Sequence, residues 1–419
     1  MDFDKEKVTV PLRAVLNFIQ WVLYSCGIGL LVGGAAVAFH YGVDWATAFR
    51  GEHPQMIWTL PLGGMAIIFL YRVCGMEKDR GTNLVILAAR EAEPMRFRTA
   101  PLIFVSTILT HLVGGSAGRE GAALQLGGSM AAWVGRKIRL TAKDHRVMVM
   151  CGMAAAFSAL FGTPLTAAIF AMEVVSVGVM QYSALVPCLV SSLVGFQLSL
   201  ACGLHEHGGY LITEIPGLTV TTAVQAVVLG ALCAVLSILF CTIMHNSHKL
   251  YGLLISDPVL RAAVGGGLVL TMTLLVGSQD YNGAGDPVIR RMLAGEIIPA
   301  AFLLKMVFTG LTLGAGFRGG EIVPALFVGC AFGTWAGPML GLSSSFAGSL
   351  GMAAVFCGAT NCPLSSMLIA FELFGGQSLP LYALCCAVSY RLSGYYGLYS
   401  AQKILYSKLS LERVDKSIH

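Results

Sequence analysis

Charge is scarce in this sequence. Only 12% of its 419 residues are Asp, Glu, Lys or Arg, 56% are hydrophobic, and the mean hydropathy is +0.75. That balance excludes an ordinary soluble domain, in which about a quarter of the residues are charged, and it marks a polytopic membrane protein. Catalytic signatures are missing as well. No His/Asp cluster and no HExxH lies within an apolar run, so an enzyme is not expected. Paired cysteine spacing is also absent. The twelve cysteines fall mostly in apolar runs (Cys151, Cys188 and Cys330 among them) and read as buried thiols rather than a zinc site or disulfide framework. The HEH at 205–207 has no further ligand at useful spacing, so neither metal nor cofactor is expected.

What is present is a series of apolar runs at 12–40, 56–71, 101–114, 147–179, 183–204, 220–245, 260–277, 299–314 and 322–390, many interrupted by glycine or proline. The opening "MDFDKEKVTVPLRAV" precedes a run longer than a signal peptide's and has no clear cleavage site. Basic residues there, at 71–80, at 135–146 and in the tail place both termini in the cytoplasm by the positive-inside rule. These loops account for the net charge of +5, so no nucleic-acid partner is expected. Trp21, Trp45, Trp58 and Trp133, near expected span ends, suit interfacial anchoring.

The chain repeats itself. "GMAAAFSALFGTPLTAAIFAMEV" (152–174) aligns without a gap on "GMAAVFCGATNCPLSSMLIAFEL" (351–373), an offset of 351 − 152 = 199. At the same offset "GSAGREG" (115–121) falls on "GAGFRGG" (314–320), with Gly115, Arg119 and Gly121 meeting Gly314, Arg318 and Gly320. The reading is a cytoplasmic segment 1–11, two transmembrane repeats at 12–215 and 216–400, and a cytoplasmic tail 401–419. Such repeats suggest a transporter with its site near the bilayer midplane.

Each glycine-rich stretch reads as a break followed by a helix, beginning near Ala122 and near Ile322. Glycine permits positive φ and close backbone approach. A helix that starts inside a membrane presents unpaired N–H groups and the positive end of its dipole, which together make an anion site. Glu120 stands just before the first start, where its carboxylate fills the anion position until a proton releases it. The plainer alternative is a pairing with Arg119 or a helix cap. Glu321 carries the same two readings. Arg119 with Arg318, and Glu173 with Glu372, coincide in the repeat, which favours structural pairing. His111 reads as a packed neutral histidine.

"GREG" followed by Gln125, "GGEIVP" at 319–324 and "LYSAQKIL" at 398–405 together resemble the CLC family of anion channels and proton-coupled anion antiporters. The resemblance covers about 12–410. It implies an all-α membrane fold of two inverted repeats with broken, tilted helices, a homodimer with one pore per subunit, and residence in the plasma membrane. It places the gating, proton-accepting glutamate at Glu120 and the pore tyrosine at Tyr399 rather than Tyr395 or Tyr396. Thr82 stands where chloride-transporting members have serine, Glu321 follows the second glycine pair, and Val174 replaces an inner proton glutamate. These departures resemble the CLC-F fluoride/proton antiporter branch. The implied function is fluoride export in exchange for protons, with chloride/proton antiport or a passive chloride channel as the alternative. Gly118, Arg119, Gly121, Gly320, Glu321, Ile322, Val323, Thr82, Asn83 and Tyr399 are then the candidate anion-path residues. Fluoride is strongly hydrated, so hydroxyl, amide and N–H donors must replace its water. Small residues at 191–195 and 383–389 suit either a dimer face or packing within one subunit.

Overall fold

The computed structural model describes residues 3–204, 210–410 and 412–418; the HEH segment lies outside them. Apolar composition dictates helix, because backbone in hydrocarbon must satisfy its own N–H and C=O groups. Among the described residues there are sixteen α-helices and three short strands. Five helical stretches are long and apolar enough to cross a membrane: Arg13–Glu52, Pro54–Val73, Tyr182–Ala201, Val220–Leu254 and Pro258–Val276. Others are apolar but only 10–17 residues long, as broken helices require. The first helix runs Phe3–Glu52, so the boundary read at residue 12 lies inside one continuous element. It carries Asp44 and Arg50 beyond the apolar run. Both find partners, Asp44 on Arg119 and Arg50 on the carbonyl of His111.

The run at 147–179 divides at Gly162 and Thr163 into helices Ala142–Phe161 and Pro164–Glu173. Gly162 caps the first at φ +70°, and Pro164 opens the second, where its missing N–H costs nothing. In the second half Asn361, at φ +60°, separates helices Ser344–Thr360 and Pro363–Phe374 at the equivalent place, 361 − 162 = 199.

A reciprocal lock joins the halves at these short helices. Glu173 accepts hydrogen bonds from the N–H groups of Leu364 (3.0 Å) and Ser365 (2.9 Å) and from the Ser365 hydroxyl (2.5 Å). Glu372 accepts the matching set from Leu165 N–H (2.8 Å), Thr166 N–H (2.8 Å) and the Thr166 hydroxyl (2.6 Å). Each carboxylate, at the end of its own helix, therefore caps the start of the helix in the other half. Glu173→Ala is expected to lower stability by about 3–5 kcal/mol, the cost of breaking a buried charged hydrogen-bond set. Glu372→Ala should cost less, because Glu372 is more exposed. Thermal unfolding in detergent reads the difference, and unchanged melting of Glu173→Ala would contradict it.

Within the stretches 191–195 and 383–389, Ser191, Gly195 and Ser389 pack inside the chain. Ser191 donates to the carbonyl of Cys151 at 3.0 Å and Ser389 to that of Ala354 at 2.6 Å, while a Cβ on Gly195 would lie 2.8 Å from the Ala155 oxygen. Trp45 and Trp58 are exposed, as anchors require, whereas Trp21 packs partly on the core. The tail is not a free end: strand Lys403–Tyr406 pairs with Ser176–Val177 of the first half and with Arg413–Ser417.

Candidate functional site

The two glycine breaks cross each other. Gly118 N–H donates to the Gly320 oxygen at 2.7 Å and Gly320 N–H to the Gly118 oxygen at 2.8 Å, an antiparallel pair. Opposite chain direction is what halves related by an axis in the membrane plane require. A Cβ on Gly320 would lie 2.5 Å from the Gly121 nitrogen, and one on Gly118 3.2 Å from the Gly320 oxygen. Of these glycines none has positive φ, so close approach rather than backbone freedom demands them. Positive φ occurs on the flanks instead, at Gly114 (+90°) and Gly316 (+107°).

From this crossing one helix leaves as Glu120–Lys137 and the other as Ile322–Ala336. The first begins two residues before the expected Ala122. Glu120 and Gly121 are helical because an acid in the first turn suits the dipole and the break is complete by Arg119. Glu120 is 1% exposed. Its Oε2 accepts the N–H of Arg119 at 3.1 Å and lies 3.0 Å from where a Gly118 Cβ would stand. Arg119 approaches Glu120 Oε1 at 3.6 Å but bonds Asp44 at 2.9 Å, and Asp44 also takes His40 at 2.8 Å. Its repeat mate Arg318 lies over the ring of Tyr71 at 4.2 Å and 3.7 Å from Asp79. Both arginines are thus held by acids from distant parts of the chain.

Two cavities flank the crossing. One of ≈ 560 Å³ is lined by Glu120 and Val323, with His40, Asp44, Arg119 and Asp286 around it. The other, ≈ 890 Å³, is lined by Thr82, Asn83, Gln125, Glu321 and Tyr399. Lys78, Arg80, Lys249, Arg261 and Arg318 also line the larger cavity, against Glu77, Asp79 and Glu321, and this basic excess favours anions in it. No described residue lines both cavities.

Thr82 and Glu321 converge on Gly121: a Cβ there would stand 3.4 Å from both Thr82 Oγ1 and Glu321 Oε2. Gln125 Nε2 donates to Thr82 Oγ1 at 3.2 Å and to the Gly121 oxygen at 3.3 Å. Glu321 Oε2, Gln125 Oε1 and the Tyr399 hydroxyl are buried without a protein partner among the described residues, and all three residues line the larger cavity. Buried polar atoms are normally satisfied, so this convergence is the mark of a polar ligand path. Asn83 lines the same cavity, and its Oδ1 accepts the Ala401 N–H at 2.9 Å, which orients the amide without using its Nδ2 donors. Ile322 is fully buried at the second helix start. His111 is packed, its Nδ1 on the Thr107 oxygen at 2.9 Å. Sequence reading missed Asp44 and Asp79. Only His40 and Asp44, four apart on one helix face, left a signal that could have been found.

Residues 62–394 match the profile of the voltage gated chloride channel family. A chloride/fluoride channel protein of Pseudomonas syringae pv. tomato is 36% identical over 397 residues, 93% of this chain and 87% of the relative. A crystal structure of a CLC-type fluoride/proton antiporter superposes with TM-score 0.88 and 32% identity, covering 92% of this chain and 98% of that one. A slow cyanobacterial Cl⁻/H⁺ antiporter shares the fold at TM-score 0.77 and 16% identity, covering 89% of this chain and 94% of that one. The all-α architecture, the crossed breaks and these likenesses agree: the chain belongs to the voltage gated chloride channel, or CLC, family of membrane anion channels and transporters, whose members are not enzymes.

Proposed function

We propose that this protein is a proton-coupled antiporter that exports fluoride in exchange for protons, with Glu120 as gate and proton acceptor. The observation that carries the reading is the place of Glu120, a buried carboxylate at a helix start on the wall of the smaller cavity, bonded to the Arg119 N–H at that start. Ionised, it competes with an anion for these donors. Protonated, it loses most of that attraction, and an anion takes its place. The larger cavity, with its basic walls, faces the cytoplasm of a plasma membrane by the positive-inside rule. Anions collected there reach the crossing past Thr82, Gln125, Glu321 and Tyr399, and the smaller cavity supplies protons to Glu120 from outside.

Fluoride is favoured over chloride because the hydroxyls of Thr82 and Tyr399 line the path in place of a greasy wall, and a small, strongly hydrated ion needs such donors. The likeness to a fluoride/proton antiporter supports the same reading. The protein acts as a homodimer with one path per subunit. Efflux from liposomes loaded with fluoride or chloride, with external pH followed, tests it. Fluoride release with proton uptake and little chloride movement is the expected result. Comparable chloride movement would make it a chloride antiporter, and release without a pH change a channel.

A further inference from the structure

Nothing at its tip holds Tyr399. Its hydroxyl has no protein partner among the described residues, so the hydroxyl's position is set by the packing of its buried ring and by the backbone of the non-helical segment that follows helix Leu379–Leu392. Several groups hold that segment, among them Arg90, which donates to the Ala401 oxygen. Leu398 N–H bonds the Ala359 oxygen at 2.8 Å, and Ala401 N–H bonds Asn83. Gln402 Nε2 bonds the Thr360 oxygen at 2.9 Å, and Asn361 Nδ2 reaches both the Tyr396 oxygen (3.1 Å) and Gln402 Oε1 (3.2 Å).

Asn361 is the hub, and its amide must face one way. A primary amide has an oxygen that only accepts and a nitrogen that only donates. Turned over, Asn361 would aim its oxygen at the Tyr396 and Gln402 oxygens. Lys408 holds the other end of the amide: its Nζ donates to Asn361 Oδ1, to Ser393 Oγ at 3.0 Å, and lies 4.5 Å over the Tyr390 ring. An ammonium carries donors only, so it cannot tolerate the turned amide. Lys408 is 6% exposed, and none of its hydrogen bonds or ion pairs goes to a carboxylate among the described residues. Burying such a charge unpaired is costly, and filling space would be served better by methionine. Arg391 holds the Lys408 and Leu409 carbonyls, which fixes the lysine's own backbone.

We propose that Lys408 is a positioning residue for the pore tyrosine: by orienting Asn361 it sets the Tyr399 hydroxyl in the anion path and so sets discrimination between anions. This rests on the reading of Tyr399 as an anion donor. The tail 401–419 thereby acts on the path from outside it.

The test compares fluoride and chloride release from liposomes holding the full chain as wild type, Lys408→Met, Tyr399→Phe and the double variant. Lys408→Met should lower the fluoride-to-chloride ratio about five-fold, the factor that one hydrogen bond to the ion supplies. Lys408→Arg, still a donor, should restore most of it. In the Tyr399→Phe background, Lys408→Met should change nothing further. An equal drop in that background, or no drop in wild type while Tyr399→Phe alters the ratio, would overturn the role of Lys408. An unchanged ratio in Tyr399→Phe alone would overturn the donor reading of the tyrosine, and the proposal with it. Should Lys408→Met not assemble, Asn361→Asp replaces the donating nitrogen with an acceptor and carries the same comparison, with the same outcomes deciding.

Discussion

Glu120→Gln is expected to abolish proton uptake during anion release while leaving the anion path conducting. Glutamine has the same shape, and its oxygen can still accept the Arg119 N–H now made by Glu120 Oε2. What it lacks is a group that takes up and releases a proton and a charge to pair with Arg119, 3.6 Å away. External pH should therefore move no more than with protein-free liposomes, and anion release should no longer follow pH. The sign is fixed by the geometry: removing the charge mimics the protonated gate, so flux persists rather than stops. Proton uptake equal to wild type would remove Glu120 from the coupling role, whatever happened to the anion.

Gly320→Ala is expected to impair assembly strongly, because it forces the two breaks apart. The new carbon would lie 2.5 Å from the Gly121 nitrogen, 3.0 Å from its Cα and 3.4 Å from the Glu120 nitrogen, all backbone atoms. Rotamer change cannot relieve such a clash, so the two breaks must separate and the Gly118–Gly320 pair must open. Overpacking of this kind costs about 1–3 kcal/mol where side chains can adjust, and more here. Both yield of folded protein and melting temperature should fall. Gly27→Ala is the control, because nothing stands within 4 Å of its added carbon and alanine suits a helix better. Equal melting of the two variants would show that the crossing tolerates expansion.

Elements whose information is local or repeated were legible in the sequence. The 199-residue offset located both breaks and the Glu173/Glu372 pair, and the breaks do meet. Periodicity and apolar length found the spans but not their divisions at Gly162 and Asn361, where a capping residue and a following proline or Cys-Pro decide. The start of the first inner helix was misplaced by two residues because Gly121 reads as part of a break. In the fold it is helical and serves to admit Gly320. Pairings such as Arg119 with Asp44, Arg318 with Asp79 and Lys408 with Asn361 join positions 75, 239 and 47 residues apart (119 − 44, 318 − 79 and 408 − 361). No local pattern marks them, since each exists only once the helices have packed. The branch-level reading rested on single substitutions, Thr82, Glu321 and Val174, whose meaning came from the family resemblance rather than from spacing.

The reciprocal lock between Glu173 and Glu372 also has a consequence in time. The two carboxylates are 372 − 173 = 199 residues apart, and a ribosome adding about 5–20 residues per second needs roughly 10–40 s to travel between them. Throughout that interval the nascent first half holds a carboxylate and a bare helix start, with their intended partners not yet made. A chain truncated after residue 215 would keep both defects permanently and be a natural target for membrane quality control. The two halves are joined in one polypeptide so that neither has to wait for the other by diffusion.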